Sequence, residues 1–358
     1  MIFYRLAALM FIFFCCGFSA TGQKNSAHTI FNFINHPSSA RMTAMGGTLV
    51  GLHDKDVTLA WFNPAVLHEN MSGQVSFNYD NVFSGIGSGY VGYAQHLKKP
   101  GMTFHAAVQM MNYGTFQETD EFANALGTFK GQDLGFAIGA AKALSERWSV
   151  GLNLKYLHSA LDQYAASALS SDAGALYYNP TKRFSFGIIA KNAGVQLRTY
   201  SGETKGKLPL ELQAGFVKRL RHLPLQYSIT YRNLERWNIT YKDPNSVKQT
   251  DFLGQPIKES PKVVQMLDNF GRHLVFGAEF LLGKKENFSI RLGYSHLLKR
   301  EMNVSPYRSL TGFSYGFGFK VKQFRLDLGR STTHMVGAMT HFTLSTQMSE
   351  FRKKSTSR

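Results

Sequence analysis

The feature that most restricts the fold of this chain is a recurring alternation of apolar and polar side chains. From Leu225 to Arg232, leucine, tyrosine and isoleucine take the odd positions, and glutamine, serine, threonine and arginine take the even ones. Similar alternation recurs at 148–155, 288–295 and 313–319. Because successive side chains of a β-strand point to opposite faces, this period predicts strands with one apolar face and one polar or small face.

About fourteen segments follow this pattern, and most are 9–13 residues long. A tilted strand of that length crosses a bilayer, whereas strands of soluble sandwiches are usually about five or six residues long. Unpaired backbone groups are not tolerated in lipid, so such strands must close on themselves. The sequence therefore predicts an all-β fold, a membrane-spanning antiparallel up-and-down β-barrel with strands near 73–82, 88–98, 102–112, 130–143, 147–159, 171–179, 184–193, 209–219, 224–234, 271–282, 287–298, 309–320, 322–330 and 337–346.

The connections between these segments alternate in length, which is typical of outer-membrane barrels with short periplasmic turns and longer external loops. The short turns, such as 98–101, 144–147 and 283–286, are rich in Lys and Arg. We expect them to form a basic rim that faces either anionic head groups or a periplasmic partner. The long connections are predicted at 113–129, 160–170, 194–208, 235–270 and 299–308.

Residues 1–22 are predicted to be a signal peptide. Arg5 precedes an apolar run that ends at Gly17, and the small residues Ala20 and Gly22 mark a cleavage site. The run is too short to span a membrane as a helix. Both cysteines of the chain lie within it, so the mature protein is predicted to have no disulfide, cysteine nucleophile or thiolate metal site. We therefore expect export through a cleaved signal peptide to the bacterial outer membrane.

The formal net charge of +17 indicates an anionic partner. For an exported chain, we expect that partner to be anionic lipid or polysaccharide rather than nucleic acid. A faint similarity to an RNA-binding strand at 317–320 does not change this expectation, because the neighbouring residues keep the alternation of a barrel strand.

Residues 31–67 are compact, irregular and partly helical, unlike the rest of the chain. They are too few to form a core of their own, and a fourteen-strand barrel has a lumen that wall side chains alone cannot fill. We therefore predict a plug of residues 23–72 containing short helices, inside a barrel of residues 73–346 that is followed by a flexible basic tail, 347–358. The plug residues that carry this prediction are Ala40, Arg41, Gly46, Gly47, Asp54, Asp56, Asn63, Pro64 and Ala65.

Two acidic residues of the plug could have several roles. No ligand cluster in the sequence surrounds Asp54 and Asp56, so we expect a helix cap or a salt bridge rather than a metal site. They are also suitable counter-charges for the predicted inward-facing side chains of Lys155, Arg232 and Arg291.

The chain carries no pattern of an active site. A glycine-rich stretch at 85–89 links two strands and opens no helix, so it does not fit a phosphate-binding loop. The twelve His residues show no metal-ligand spacing, and no nucleophile elbow is present. We expect a protein that is not an enzyme, with no catalytic, cofactor-binding or metal residues and no cofactor.

The longest predicted connection, 235–270, is the first candidate for a partner surface. Long loops are usually functional or disordered, and this one would project outward from the barrel. The candidate binding residues within it are Asp243, Pro244, Asn245, Gly254, Pro256 and Pro261.

The plug segment contains five short motifs, Phe31-x-Phe33, Pro37-Ser38-x-Ala40-Arg41, Ala44-Met45-Gly46-Gly47, Asp54-x-Asp56 and Asn63-Pro64-Ala65-x-Leu67. Together they resemble the N-terminal signature of the PorV/PorQ family of outer-membrane proteins of type IX secretion. The Asn-Pro-Ala element is also similar to the hatch of FadL-type fatty-acid transporters, whose barrels have fourteen strands. The resemblance implies a FadL-like barrel with an N-terminal plug or hatch.

The same resemblance implies a non-catalytic role in the type IX attachment complex. There the chain would anchor the surface protein PorZ, so that secreted cargo is processed and attached to anionic lipopolysaccharide. PorU and PorV would be indirect partners, and the loops 194–208 and 235–270 would meet PorZ. Two alternatives stay open, a FadL-like transporter of hydrophobic molecules and a basic soluble β-protein that binds polysaccharide. A transporter needs an apolar pocket and a lateral or luminal exit, whereas a scaffold needs an external binding surface.

Overall fold

The wall of the protein is a closed barrel of fourteen antiparallel strands. In the computed structural model each strand pairs with its neighbours in sequence, and β1 closes the barrel against β14. The strand order and closure confirm the predicted fold class. The predicted signal peptide lies outside the residues that the structure describes, which are 29–83, 85–200, 202, 205–240, 261–302, 310–333, 337–348 and 351.

The strands agree with the predicted segments in number and order. Their bounds are β1 Gln74–Phe83, β2 Ile86–Leu97, β3 Met102–Thr119, β4 Ala125–Ala143, β5 Trp148–Leu161, β6 Tyr164–Asn179, β7 Phe184–Arg198, β8 Glu211–Arg219, β9 Leu225–Tyr231, β10 Leu274–Leu282, β11 Phe288–Ser295, β12 Phe313–Val321, β13 Phe324–Ser331 and β14 Met339–Gln347.

The two faces of each strand differ as the alternation predicts. On β1 the side chains of Ser76, Asn78 and Asp80 point into the lumen and are fully buried, while Phe77 and Tyr79 point outward and are 45% and 55% exposed. An outward apolar surface suits lipid contact, and the polar inner surface requires partners inside the barrel.

Two predicted loops are wrong. Residues 113–129 and 160–170 mostly continue the strands on either side, and short turns remain at 120–124 and 162–163. Thr115 pairs with Lys130 and Gln117 with Thr128, beyond an irregularity that follows Asn112. Neither stretch shows the alternation, because 113–129 mixes apolar and polar side chains irregularly and 164–170 is rich in Ala and Ser.

The plug contains only short helices, as predicted. The α-helix α1 is Ala40–Ala44, and the 3₁₀ helices are Asn32–Asn35, Val57–Trp61, Pro64–Val66 and Glu69–Met71. Two further helices, α2 at Lys262–Arg272 and α3 at His296–Glu301, lie in the connections after β9 and β11. No helix in the described part of the chain combines the length and apolarity needed to cross a membrane.

Candidate functional site

The plug occupies the lumen as a packed unit with its own apolar centre. Trp61, Ile34, Met42 and Leu59 are at most 1% exposed. The indole Nε1 of Trp61 donates a hydrogen bond to the carbonyl oxygen of Ile34 over 3.1 Å, so the aromatic body is buried without an unsatisfied donor. This centre lies against the inner wall, which supplies the core that the segment could not build alone.

Helix α1 carries the charged residue at the centre of the site, Arg41. The helix begins after Ser39, whose hydroxyl accepts a hydrogen bond from the backbone N–H of Met42 as an N-cap. Arg41 is 1% exposed. Its Nη1 donates to Asp54 over 2.7 Å, and its Nη2 donates to Glu279 of β10 over 2.5 Å. One guanidinium therefore joins two segments of the plug to the wall.

The wall continues this ionic network across neighbouring strands. Glu279 on β10 also accepts from Nε of Arg291 on β11 over 2.7 Å. Arg291 lies 2.7 Å from Asp327 on β13, and Asp327 lies 3.0 Å from Arg325. Buried charges are tolerated when they are paired in this way.

The partners of the plug carboxylates differ from those that we expected. Arg291 pairs with Glu279 and Asp327. Further along the wall, Lys155 pairs with Asp172 of β6 over 2.7 Å and Arg232 pairs with Glu211 of β8 over 2.8 Å. These inward-facing cations are therefore neutralised by barrel acids, not by the plug. The sequence could not show this, because each partner lies on another strand.

Asp54 and Asp56 instead act within the plug, in the two roles of salt bridge and cap. Burial alone would raise the pKa of Asp54, but the nearby guanidinium groups of Arg41 and Arg325 hold that pKa well below its usual range. Oδ1 of Asp56 accepts from the backbone N–H of Thr58 over 3.1 Å and caps the 3₁₀ helix that follows. Its other oxygen lies 3.7 Å from Arg41.

The Asn-Pro-Ala element is a turn held by one side chain. Asn63 is extended and fully buried, and its Oδ1 accepts from the backbone N–H of Ala65 over 3.0 Å. Its Nδ2 donates to the carbonyl oxygen of Val50 over 2.8 Å. Pro64 follows at the first helical position, where its missing N–H costs nothing. The motif therefore fixes two parts of the plug to each other.

Glycines of the wall let the plug backbone lie directly on the strands. A Cβ at Gly329 would stand 2.2 Å from the carbonyl oxygen of Ala40, and one at Gly151 would stand 2.5 Å from the carbonyl carbon of Pro64. In the plug, Gly46 and Gly47 have φ angles of +94° and +89°, which only glycine adopts without strain. The small residues on the inner face are thus contact points with the plug.

A stack of three rings connects the plug to β6. The ring of His53 lies between those of His68 and Tyr178, with centroid distances of 4.4 and 4.0 Å. Burial and the neighbouring His68 lower the pKa of His53 to about 4. His53 is therefore neutral near pH 7, and protonating it would oppose the docked position of the plug.

Most of the candidate residues of the predicted partner-binding loop lie outside the described residues: Asp243, Pro244, Asn245, Gly254 and Pro256. The sixth, Pro261, directly precedes α2. Helix α2 was not predicted. It presents one apolar stripe, in which Val263, Met266, Leu267 and Phe270 are 44–64% exposed. Its other face is held against α3, because Asp268 pairs with Arg300 of α3 over 2.5 Å as well as with Arg272 of α2 itself over 2.9 Å.

Sequence reasoning missed the wall partner of Arg41. Glu279 lies in the segment Leu274–Leu282, where it is the only charged residue. A lone acid at an inward-facing position of an otherwise apolar strand is a signal that could have identified it, because burying such a charge requires a partner.

No family model and no curated protein matches the chain. Solved structures do match. The Pseudomonas putida toluene transporter TodX aligns with a TM-score of 0.51 at 12% identity, covering 87% of this chain and 96% of that one. The monoaromatic hydrocarbon channel CymD aligns with a TM-score of 0.51 at 12% identity, covering 88% and 97%. A Pseudomonas aeruginosa FadL homologue aligns with a TM-score of 0.47 at 10% identity, covering 86% and 97%. The chain is thus similar in fold to the transporter TodX and the channel CymD.

Proposed function

We propose that this protein is a non-catalytic outer-membrane scaffold of the type IX attachment complex, whose outer end anchors a surface protein. Among members of the PorV/PorQ family it resembles PorQ most closely in length and motif spacing, which makes PorZ the proposed direct partner. PorU and PorV would then be indirect partners, with lipopolysaccharide nearby.

The observation that carries this proposal is the ion-paired plug. Arg41, 1% exposed, joins the plug to Glu279, which is fully buried on the wall. Lumen-facing groups such as Lys155 and Asp172 are charged and paired. This is a poor lining for an apolar pathway, and it leaves the external surface as the place where function is expected.

The apolar stripe of α2 supports an external binding surface. Exposed apolar side chains that cluster on one element often mark contacts with another protein. Trp237, 65% exposed, lies just after β9, and its ring centroid is 6.4 Å from that of His273 beyond α2. Aromatic and aliphatic residues of this kind are typical anchors of protein interfaces.

Affinity capture from detergent-solubilised outer membranes tests the proposal, with a tag placed after residue 358, beyond β14, and mass spectrometry as the readout. We expect one large surface protein in a reproducible ratio. Replacing Val263 and Leu267 with Ser should abolish its recovery. The matched control is Leu223→Ser in the short turn after β8, where Leu223 is 58% exposed. Equal recovery from both variants would exclude α2 as the contact.

A second candidate is transport of hydrophobic small molecules across the outer membrane. The likeness to TodX and CymD favours it, since the first is described as a toluene transporter and the second as a monoaromatic hydrocarbon channel. Fold alone does not fix function, so this likeness is weighed against the lining of the lumen. Capture of the barrel alone, carrying fatty acid or lipid, together with toluene uptake into vesicles, would favour transport over the scaffold.

A further inference from the structure

Three residues that are far apart in the sequence meet where the plug touches the closing strands of the barrel. His36 belongs to the plug, Asp80 to β1 and His341 to β14. Nε2 of His36 lies 2.7 Å from Oδ2 of Asp80, and Nδ1 of His341 lies 3.5 Å from Oδ1 of Asp80. Each residue offers a ligand atom, and these atoms all lie within 4.8 Å of one another.

The carboxylate of Asp80 has no permanent cation beside it among the described residues. It is fully buried, and its ionic partners are two histidines, which are charged only when protonated. Two other carboxylates that are at most 1% exposed, Asp172 and Glu279, have Lys155 and Arg41 as partners. A buried carboxylate without such a partner attracts a cation.

The imidazole of His341 also has incomplete hydrogen bonding. Its Nε2 is buried and has no hydrogen-bond partner in the described part of the chain. Its Nδ1 lies 3.5 Å from Nδ2 of Asn78, an amide nitrogen that can only donate. The same amide donates to Oδ1 of Asp80 over 3.2 Å, so the carboxylate of Asp80 and Nδ1 of His341 face one shared N–H group. That neutral donor supplies no counter-charge to the buried carboxylate, whereas a cation between Asp80 and the two imidazoles would.

We propose that His36, Asp80 and His341 bind one divalent first-row transition metal, with zinc as the reference ion. Two imidazoles and one carboxylate are ligands that suit zinc, with bonds of about 2.0–2.2 Å, and water can complete the coordination. Tetrahedral ligand atoms at such bond lengths lie about 3.4 Å apart. The 3.5 Å between His341 and Asp80 already fits this spacing, and the 2.7 Å between His36 and Asp80 must widen to admit the ion. Because the ligands come from the plug and from the first and last strands, the metal clips the plug to the closure of the barrel.

A second buried cluster that contains a histidine shows what distinguishes this site. Nε2 of His105 lies 2.8 Å from Asn153, which donates to Asp172, but Lys155 already neutralises that carboxylate. His105 is 4% exposed, so it matches His341 in burial while lacking the uncompensated charge. His105→Gln is therefore the control variant.

The first test is metal content. The full-length protein is purified through a tag without histidines, stripped with a chelator, dialysed against micromolar Zn²⁺ and measured by mass spectrometry of the metal. We expect about one zinc per chain, retained in His105→Gln and lost in Asp80→Asn and His341→Gln. Cobalt substitution should give visible absorption bands that the same two variants lack. Absence of stoichiometric metal, or equal binding by all variants, would leave the cluster as a hydrogen-bonded triad and overturn the proposal.

The second test addresses the clip and guards against variants that fail to fold. His36→Gln changes only the plug, and the heat-modifiable migration of the barrel reports that the wall is intact. With a cysteine placed at buried Ala60, Zn²⁺ should slow maleimide labelling at least about tenfold in the parent and leave it unchanged in His36→Gln. Equal labelling with and without Zn²⁺ in the parent would refute the clip.

Discussion

The salt bridges of Arg41 allow the docking of the plug to be perturbed at one residue. In Arg41→Met the side chain keeps an unbranched apolar stem but loses the guanidinium that contacts Asp54 and Glu279 at 2.7 and 2.5 Å. Breaking a buried ion pair from one side costs about 3–5 kcal/mol. Here Glu279 keeps Arg291 at 2.7 Å, so we take the lower end, about 3 kcal/mol. Since 1.36 kcal/mol is a factor of ten, the open population should rise about 100-fold.

The assay uses the predicted absence of cysteine from the mature chain. A cysteine at Ala60, which is fully buried in the plug, is labelled by a maleimide only when the plug opens. When reclosing is faster than labelling, the labelling rate follows the opening equilibrium. The heat-modifiable migration of the barrel in gel electrophoresis checks that the wall stays folded.

The matched control removes another Arg–Glu pair. Arg219 contacts Glu286 at the rim, where both side chains are about a third or more exposed. Exposed pairs contribute about 0.2–1 kcal/mol, and this one does not touch the plug. Arg219→Met should therefore leave labelling at Ala60 within about fivefold of the parent. Labelling that is equally fast in Arg219→Met and Arg41→Met would refute the view that Arg41 holds the plug.

The remaining predictions use the same labelling assay. Asp56→Ala removes a helix cap worth about 1 kcal/mol, so labelling at Ala60 should rise about fivefold while insertion of the barrel into the membrane is unchanged. Unaltered protease resistance of the plug in Asp56→Ala would count against this prediction. Gly329→Val should raise labelling at Ala60 more than Val→Ala substitutions on the outer face of the barrel. The reason is that a Cβ at position 329 would stand 2.2 Å from the carbonyl oxygen of Ala40 in the plug. The pKa of His53 is lowered to about 4 from 6.5, so the unfolded or undocked form takes up the proton first. Docking should therefore weaken as the pH falls from about 6.5 to about 4, and His53→Gln should flatten that dependence; an unchanged slope would exclude His53 as the cause.

The barrel wall was predictable because the alternation reports a local property. Each strand needs an apolar outer face and a polar or small inner face, and residues such as Phe77 and Asn78 reveal this without knowledge of their neighbours. The extension of β3 to Thr119 was missed for the same reason, since beyond the membrane no such face is required. The pattern thus detects contact with lipid more directly than it detects strands.

The partners of the plug were not predictable, because they depend on which inward-facing residues come to the same height. Arg41 and Glu279 are 238 positions apart, and His36 and Asp80 are 44 apart. Alternation assigns Glu279 to the lumen, but it says nothing about which plug residue lies opposite. The capped helix and the Asn-Pro-Ala turn, by contrast, were predictable, since each is held by residues within a few positions of one another.

The two proposed functions make different demands on this closed lumen. If the protein transports hydrophobic molecules, the plug must open during each passage, and a variant such as Arg41→Met that opens it more often should raise toluene uptake into vesicles. If the protein is a scaffold, the plug serves to keep the barrel rigid and sealed. Arg41→Met should then admit small solutes of any polarity without preference for toluene, while capture of the surface partner persists. Uptake and capture measured on one variant therefore separate functions that the fold itself accommodates equally.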